Sequence, residues 1–167
     1  MQSSKFISTL CLALISANVW AGTYTCKPIT GTIQPLTPDP ACKILQSKSS
    51  YFPDTIFYGV AGSCFSGQLQ GQLGGNILVT GTSSSGFSVN NLGQLTGSTA
   101  IRLYAGAIEL GRVYTKDVIF DAEGNTKELL TVVGGSKTFK GGYGNIELSG
   151  NTLYQTGSFT GTICTDD

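Results

Sequence analysis

Residues Cys64 to Leu73 alternate strictly in character. Cys64, Ser66, Gln68, Gln70 and Gln72 fall on one side, and Phe65, Gly67, Leu69, Gly71 and Leu73 on the other. A period of two puts successive side chains on opposite faces of an extended chain, so this segment predicts a half-buried β-strand. No stretch of comparable length after residue 50 shows the 3.6-residue period of a helix. The 23 glycines and the many serines and threonines suit short strands and turns.

The same reading extends along the chain. Residues 23–33 predict a short extended arm, and Pro35, Pro38 and Pro40 a loop without regular structure. One or two helical turns are expected within 41–50. Strands are expected at Thr55 to Val60, at 64–73 and at Asn76 to Thr82. Ser83 to Gly86 reads as a loop, and Phe87 to Leu95 as a weaker strand or an irregular connection. Residues 97–110 carry Ile101, Leu103 and Ala105 on one side, with Gly106 marking a bulge or a break. Arg112 to Phe120, Lys127 to Val133, Asn145 to Leu148 and the closing segment 152–164 complete the set, with a hairpin turn over Asp121 to Asn125. In the closing strand Phe159, Gly161 and Ile163 oppose Thr160, Thr162 and Cys164. Seven to nine short strands joined by tight turns predict an all-β, antiparallel sandwich or barrel.

Residues 1–21 have the form of a secretory signal peptide. Lys5 precedes the apolar run Phe6 to Ile15, and Val19 and Ala21 satisfy the small-residue rule for cleavage after Ala21. Cleavage after Ala17 is the alternative. The apolar run is shorter than the roughly 20 residues that span a bilayer, so no membrane span is expected in the mature chain. Cys11 leaves with the leader, and Cys26, Cys42, Cys64 and Cys164 remain. Four cysteines in an exported chain predict two disulfides with three connectivities. Cys26–Cys42 with Cys64–Cys164 is preferred: the first would staple the proline-rich loop, the second would tie an early strand to the last. The expected organisation is a leader at 1–21, an arm and loop at 22–54, and a β-domain at 55–167, secreted or periplasmic.

Composition removes whole classes of function. The chain has no histidine, so it has no Ser-His-Asp triad and no His-rich zinc site. No Cys-x-x-Cys pair offers a metal or redox motif, and no metal or cofactor is expected. Ten acidic and ten basic residues leave no basic footprint for nucleic acid.

Residues 130–164 add a resemblance. Val132-Val133-Gly134-Gly135-Ser136-Lys137-Thr138-Phe139 resembles the Val-Val-Gly-Gly-Thr-Gly-x-Phe segment of the barrel superfamily shared by allene oxide cyclases and dirigent proteins, followed by Gly144 and an outgoing strand. Gly157 to Cys164 is similar to the closing strand of small exported bacterial members, in which a cysteine is placed as Cys64 is here. The resemblance implies a single antiparallel barrel of about eight strands with a glycine corner built from Gly134, Gly135, Phe139 and Gly144. Lys137 stands where the family has glycine. A positive φ there is costly for lysine, so a reshaped corner is expected.

A barrel of this size is filled by side chains or encloses a small hydrophobic ligand. The strand-borne polar residues eligible to line such a cavity are Arg102, Tyr104, Glu109, Tyr114, Asp117 and Glu147. The leading expectation is an exported barrel that binds a ligand or a surface. The alternatives are a cyclase-like or dirigent-like enzyme that steers a hydrophobic intermediate, with Glu109 or Asp117 acting beside Arg102, and a subunit of a structural homo-oligomer.

Overall fold

In the computed structural model the residues described are 23–46, 64–89, 92, 94–122, 125–152 and 154–166. The leader, the strand expected at Thr55 to Val60 and the tip of the Asp121–Asn125 turn lie outside them. The described chain forms nine strands: β1 (Tyr24–Ile33), β2 (Thr37–Pro38), β3 (Cys64–Leu73), β4 (Ile77–Val89), β5 (Leu95–Ala105), β6 (Ile108–Ala122), β7 (Asn125–Gly135), β8 (Tyr143–Gly150) and β9 (Gly157–Asp166). Two short 3₁₀ turns, Lys43–Gln46 and Lys137–Phe139, complete it.

From β3 to β9 each strand pairs antiparallel with the next. The sheet then closes because β1 pairs with β9 along its whole length and with β3 through Ile29↔Leu73 to Ile33↔Leu69. The result is a closed, eight-stranded antiparallel barrel, with the two-residue β2 extending the wall beside Ser66 and Phe65. The segment 23–33, expected as an arm ahead of the barrel, is therefore one of its staves. Closure removes the open sheet edges that would otherwise template pairing between chains.

The alternation of β3 holds: Leu69 and Leu73 are buried, while Gln68, Gln70 and Gln72 are exposed. So does that of β9, where Ile163 is buried in the barrel core and Phe159 packs against it. The interior is apolar, built on Ile29, Leu73, Val79, Leu103, Val113, Leu130, Val132, Ile146 and Ile163. The outer wall carries glutamine, serine, threonine and charged residues together with exposed apolar side chains such as Leu78, Phe120 and Leu129. Among the described residues no helix is long and apolar enough to cross a membrane.

Ser83 to Gly86, expected as a loop, lies inside β4. Its backbone is held on both sides, by β3 through Cys64↔Gly86 to Gly67↔Ser83 and by β5 through Ser83↔Ile101 to Gly86↔Ser98. A central strand with two ladders overrides the weak strand preference of serine and glycine. Gly106 is a break between strands: with φ of 58° it turns the β5–β6 hairpin.

Leu36 is 8% exposed and belongs to the barrel core at the end where β1 leaves the wall, tethered by its amide to Thr152 O at 2.7 Å. Gly67 makes room for it, since a Cβ there would stand 2.7 Å from the Leu36 side chain. At the other end the Gly134–Gly144 corner delivers Phe139 into the core at 2% exposure. Ser136 N donates to Arg112 O at 2.9 Å, and Arg112 N donates to Ser136 Oγ at 3.1 Å, so the corner is pinned to β6. Lys137 takes φ of 54° within it. The lysine thus adopts the left-handed conformation that a glycine would adopt with less strain.

The disulfides are Cys26–Cys164 and Cys42–Cys64. This corrects the preferred pairing of Cys26 with Cys42 and Cys64 with Cys164. The cause is the placement of β1: Cys26 and Cys164 are direct partners across β1 and β9. Cys42 reaches Cys64 because Asp39 anchors the turn at 39–43 that carries it. Asp39 N donates to Cys64 O, and the Asp39 carboxylate accepts from Lys43 N, Ala41 N and Ser66 Oγ at 2.9–3.2 Å. Burial opposes the Asp39 charge, but these hydrogen bonds and the Lys43 charge outweigh it and hold the carboxyl below the usual range. Ile44 then packs on the outside of the wall with Cys64, Ala100 and Tyr114, forming a second, smaller core.

Candidate functional site

The barrel wall sorts the six polar residues expected to line a cavity. On β5 the inward side carries Gly97, Thr99, Ile101 and Leu103, which leaves Arg102 and Tyr104 facing out. A register shift after Leu103 pairs Tyr104 with Glu109, so Glu109 also lies on the outer wall, where its carboxylate meets Lys137 Nζ at 3.4 Å. Tyr114 faces out and is buried beneath Ile44. Glu147 is exposed on the outer side of β8. Only Asp117 points inward, and the structure does not bring the six together.

Asp117 is 2% exposed. Thr115 Oγ1 donates to its Oδ1 at 2.5 Å, and Thr99 Oγ1 donates to its Oδ2 at 2.7 Å. Ser85 Oγ lies 2.9 Å from Thr99 Oγ1. The single Thr99 proton is directed to the carboxylate, so Ser85 donates to Thr99, and a chain of three hydroxyls on β4, β5 and β6 converges on one acid. Gly97 opens the space: a Cβ there would stand 2.8 Å from the Phe87 ring and 3.2 Å from Asp117 Oδ2. Burial pushes the Asp117 carboxyl up to about 6, against the Thr115 and Thr99 hydrogen bonds and the Lys116 charge, which favour ionisation. Lys116 acts from the outer wall, where its Nζ donates to Ser98 Oγ at 3.1 Å.

A second interior acid, Glu128 on β7, was not among the expected residues. It is 5% exposed, and among the described residues its Oε1 has no hydrogen-bond partner; Ser83 Oγ is likewise buried without one. Burial raises the Glu128 pKa well above the ordinary value, and the Asp117 charge raises it further. Glu128, Ser83, Ser85 and Thr99 border an otherwise apolar cavity of about 40 Å³ among Leu69, Ile101, Leu103, Leu130 and Phe159. That is space for a few water molecules. A site for a small organic ligand needs roughly 300 Å³ or more.

The larger concavity is on the outside. A groove of about 530 Å³ crosses β6 to β9, and its outward side chains are Phe120, Lys127, Leu129, Glu147, Ser149, Ser158 and Thr160. Phe120 is 57% exposed on its flank, and the hydroxyls of Ser149 and Ser158 lie 3.1 Å apart across β8 and β9. Among the described residues no three acids or cysteines gather into a metal site.

The Val132–Phe139 segment is an architectural corner, and it contributes no group to either the cavity or the groove. No protein-family model matches the sequence, and no curated protein or solved structure matches it.

Proposed function

We propose that this chain is an exported β-barrel binding module that engages its target through the outer wall. The contrast in space supports the reading: about 40 Å³ inside the barrel against about 530 Å³ in the groove over β6 to β9. Phe120 and Leu129 supply apolar contact area there, and Lys127, Glu147, Ser149, Ser158 and Thr160 supply polar groups that orient a ligand. Export follows from the leader at 1–21, with cleavage after Ala21, and two disulfides are consistent with an oxidising compartment outside the cytoplasm. Kinship with the allene oxide cyclase and dirigent barrels rests on the Val132–Phe139 corner and on eight-stranded closure. A cyclase-like or dirigent-like activity has less support, because it requires an interior cavity and an interior reacting group, and of the expected residues Asp117 alone is inside.

The test is a titration of the ¹⁵N-labelled mature chain, disulfides intact, with soluble oligosaccharides and with short-chain amphiphiles. Amide shifts are expected around Phe120, Leu129 and Thr160, with Phe120→Ala weakening binding at least about fivefold, the loss of one well-buried contact. Shifts centred on Leu103, Val113 and Leu130 would point to an interior ligand and defeat the outer-wall reading. Failure of both probe classes to bind counts against it equally.

A further inference from the structure

We propose that Asp117 and Glu128 form a proton-binding site inside the barrel, which makes the closed barrel an acid-favoured state. The inference goes beyond the outer-wall reading and does not depend on it.

The geometry carries the argument. Both carboxyls lie within a closed wall, at 2% and 5% exposure. The register places them diagonally on neighbouring strands: Asp117 pairs with Leu130, and Glu128 pairs with Ile119, two residues further along each strand on the same inner side. Asp117 has its two oxygens engaged by hydroxyl donors, which suits the ionised form. Glu128 Oε1 has no hydrogen-bond donor among the described residues, which suits the protonated form. Two buried acids in two such environments divide into one that holds its charge more readily and one that holds a proton more firmly.

The surroundings supply little compensation. The elements packed against Glu128 present Ile119 from β6, Leu148 from β8, Phe159 from β9 and Ile29 and Ile33 from β1. Those against Asp117 present Gly97 and Thr99 from β5, Ser85 and Phe87 from β4 and Leu130 from β7. Lys116 is the one basic group acting on Asp117, from the outer wall, and the charge acting on Glu128 is that of Asp117. Lys27, half-buried and in register with Ile163, acts on neither. A cavity of about 40 Å³ beside Glu128 and Ser83 gives water a place to enter when the proton leaves.

The sign follows from linkage. A carboxyl whose pKa is raised on folding binds its proton more tightly in the folded chain. Its contribution to stability is full below the unfolded value near 4 and is lost as pH rises through the folded value. For Asp117 that loss runs from about pH 4 to about pH 6. Glu128, raised well above its usual value, extends it to higher pH.

The experiment is denaturant unfolding of the mature, disulfide-intact chain from pH 4 to pH 8. We expect the folding equilibrium constant to fall by at least about a hundredfold across that range, the size set by the shift of about two pH units in Asp117 alone, to which Glu128 adds. Glu128→Gln is expected to raise stability at pH 8 and to flatten the profile above pH 6. A flat wild-type profile, or an unchanged slope in Glu128→Gln, overturns the proposal. Should Glu128→Gln fail to fold, ¹³C carboxyl NMR titration of the wild-type chain decides. Two carboxyl resonances titrating above the ordinary range support the site, and all carboxyls titrating near 4 refute it.

Discussion

Lys137 holds φ of 54° in the corner that joins β7 to β8. The left-handed region costs a non-glycine residue roughly 1–2 kcal/mol, and the exposed ion pair with Glu109 at 3.4 Å returns at most about 1. Glycine relieves the strain but gains freedom in the unfolded chain, about 0.5–1 kcal/mol. Lys137→Gly is therefore expected to leave stability unchanged or raise it by up to about 1 kcal/mol, whereas Lys137→Val lowers it by more than about 1, because a β-branched side chain tolerates this conformation least. Urea midpoints of the two variants check the order; a destabilised Lys137→Gly would show that the lysine side chain holds the corner. A costly positive φ at Lys137 was an expectation from the sequence, and the φ of 54° is what the structure shows of it. Glu128 was not legible. Thr126, Glu128, Leu130 and Val132 alternate with Lys127, Leu129, Thr131 and Val133, and each face carries two apolar residues, so hydropathy alone does not say which face is inside.

Element by element, parity was readable where a strand has one wet face and unreadable where both faces are covered. In β3 and β9 the outer side chains other than the buried cysteines Cys64 and Cys164 meet solvent, and there the alternation is legible. In β6 the outward face holds Tyr114, Val118 and Phe120, and the inward face holds Val113, Thr115, Asp117 and Ile119, so the apolar count favours the wrong side. For Tyr114 the cause is the 3₁₀ turn Lys43–Gln46, which brings Ile44 over Tyr114, Ala100 and Cys64 from outside the wall, whereas Phe120 remains 57% exposed on the outer side. A strand's own periodicity carries no information about a cover supplied from seventy residues away. The turn is short, yet Ile44 is only 1% exposed. Ile44→Ala is expected to cost about 2–4 kcal/mol through lost burial and the cavity left behind. Differential hydrogen exchange should place the loosened amides in 39–46 and at the start of β3, with the barrel core unchanged. A loss below about 1 kcal/mol would mean that the turn decorates the barrel without stabilising it.

At the scale of the molecule the decisive event is closure, because β1 is the first described strand and its partner β9 the last. The sequence indicated strands and turns but left 23–33 outside the barrel, since nothing local tells a free arm from a strand whose partner is 138 residues away. Cys26–Cys164 fixes that pairing covalently across 138 residues, whereas Cys42–Cys64 closes a loop of 22. The chain-entropy model assigns the long loop about 5 kcal/mol and the short one about 3. Kinetics should separate them further. Pairing β1 with β9 is the most non-local step in the topology, and the search for it slows folding unless the ends are already joined. Replacing Cys26 and Cys164 with alanine is thus expected to cost about 1–2 kcal/mol more than replacing Cys42 and Cys64, and to slow refolding by the larger factor. Stopped-flow refolding and equilibrium denaturation of the two double variants provide the comparison. Equal refolding rates would mean that β1–β9 pairing is not the slow step, with β1 docking first on β3 through Ile29 to Ile33.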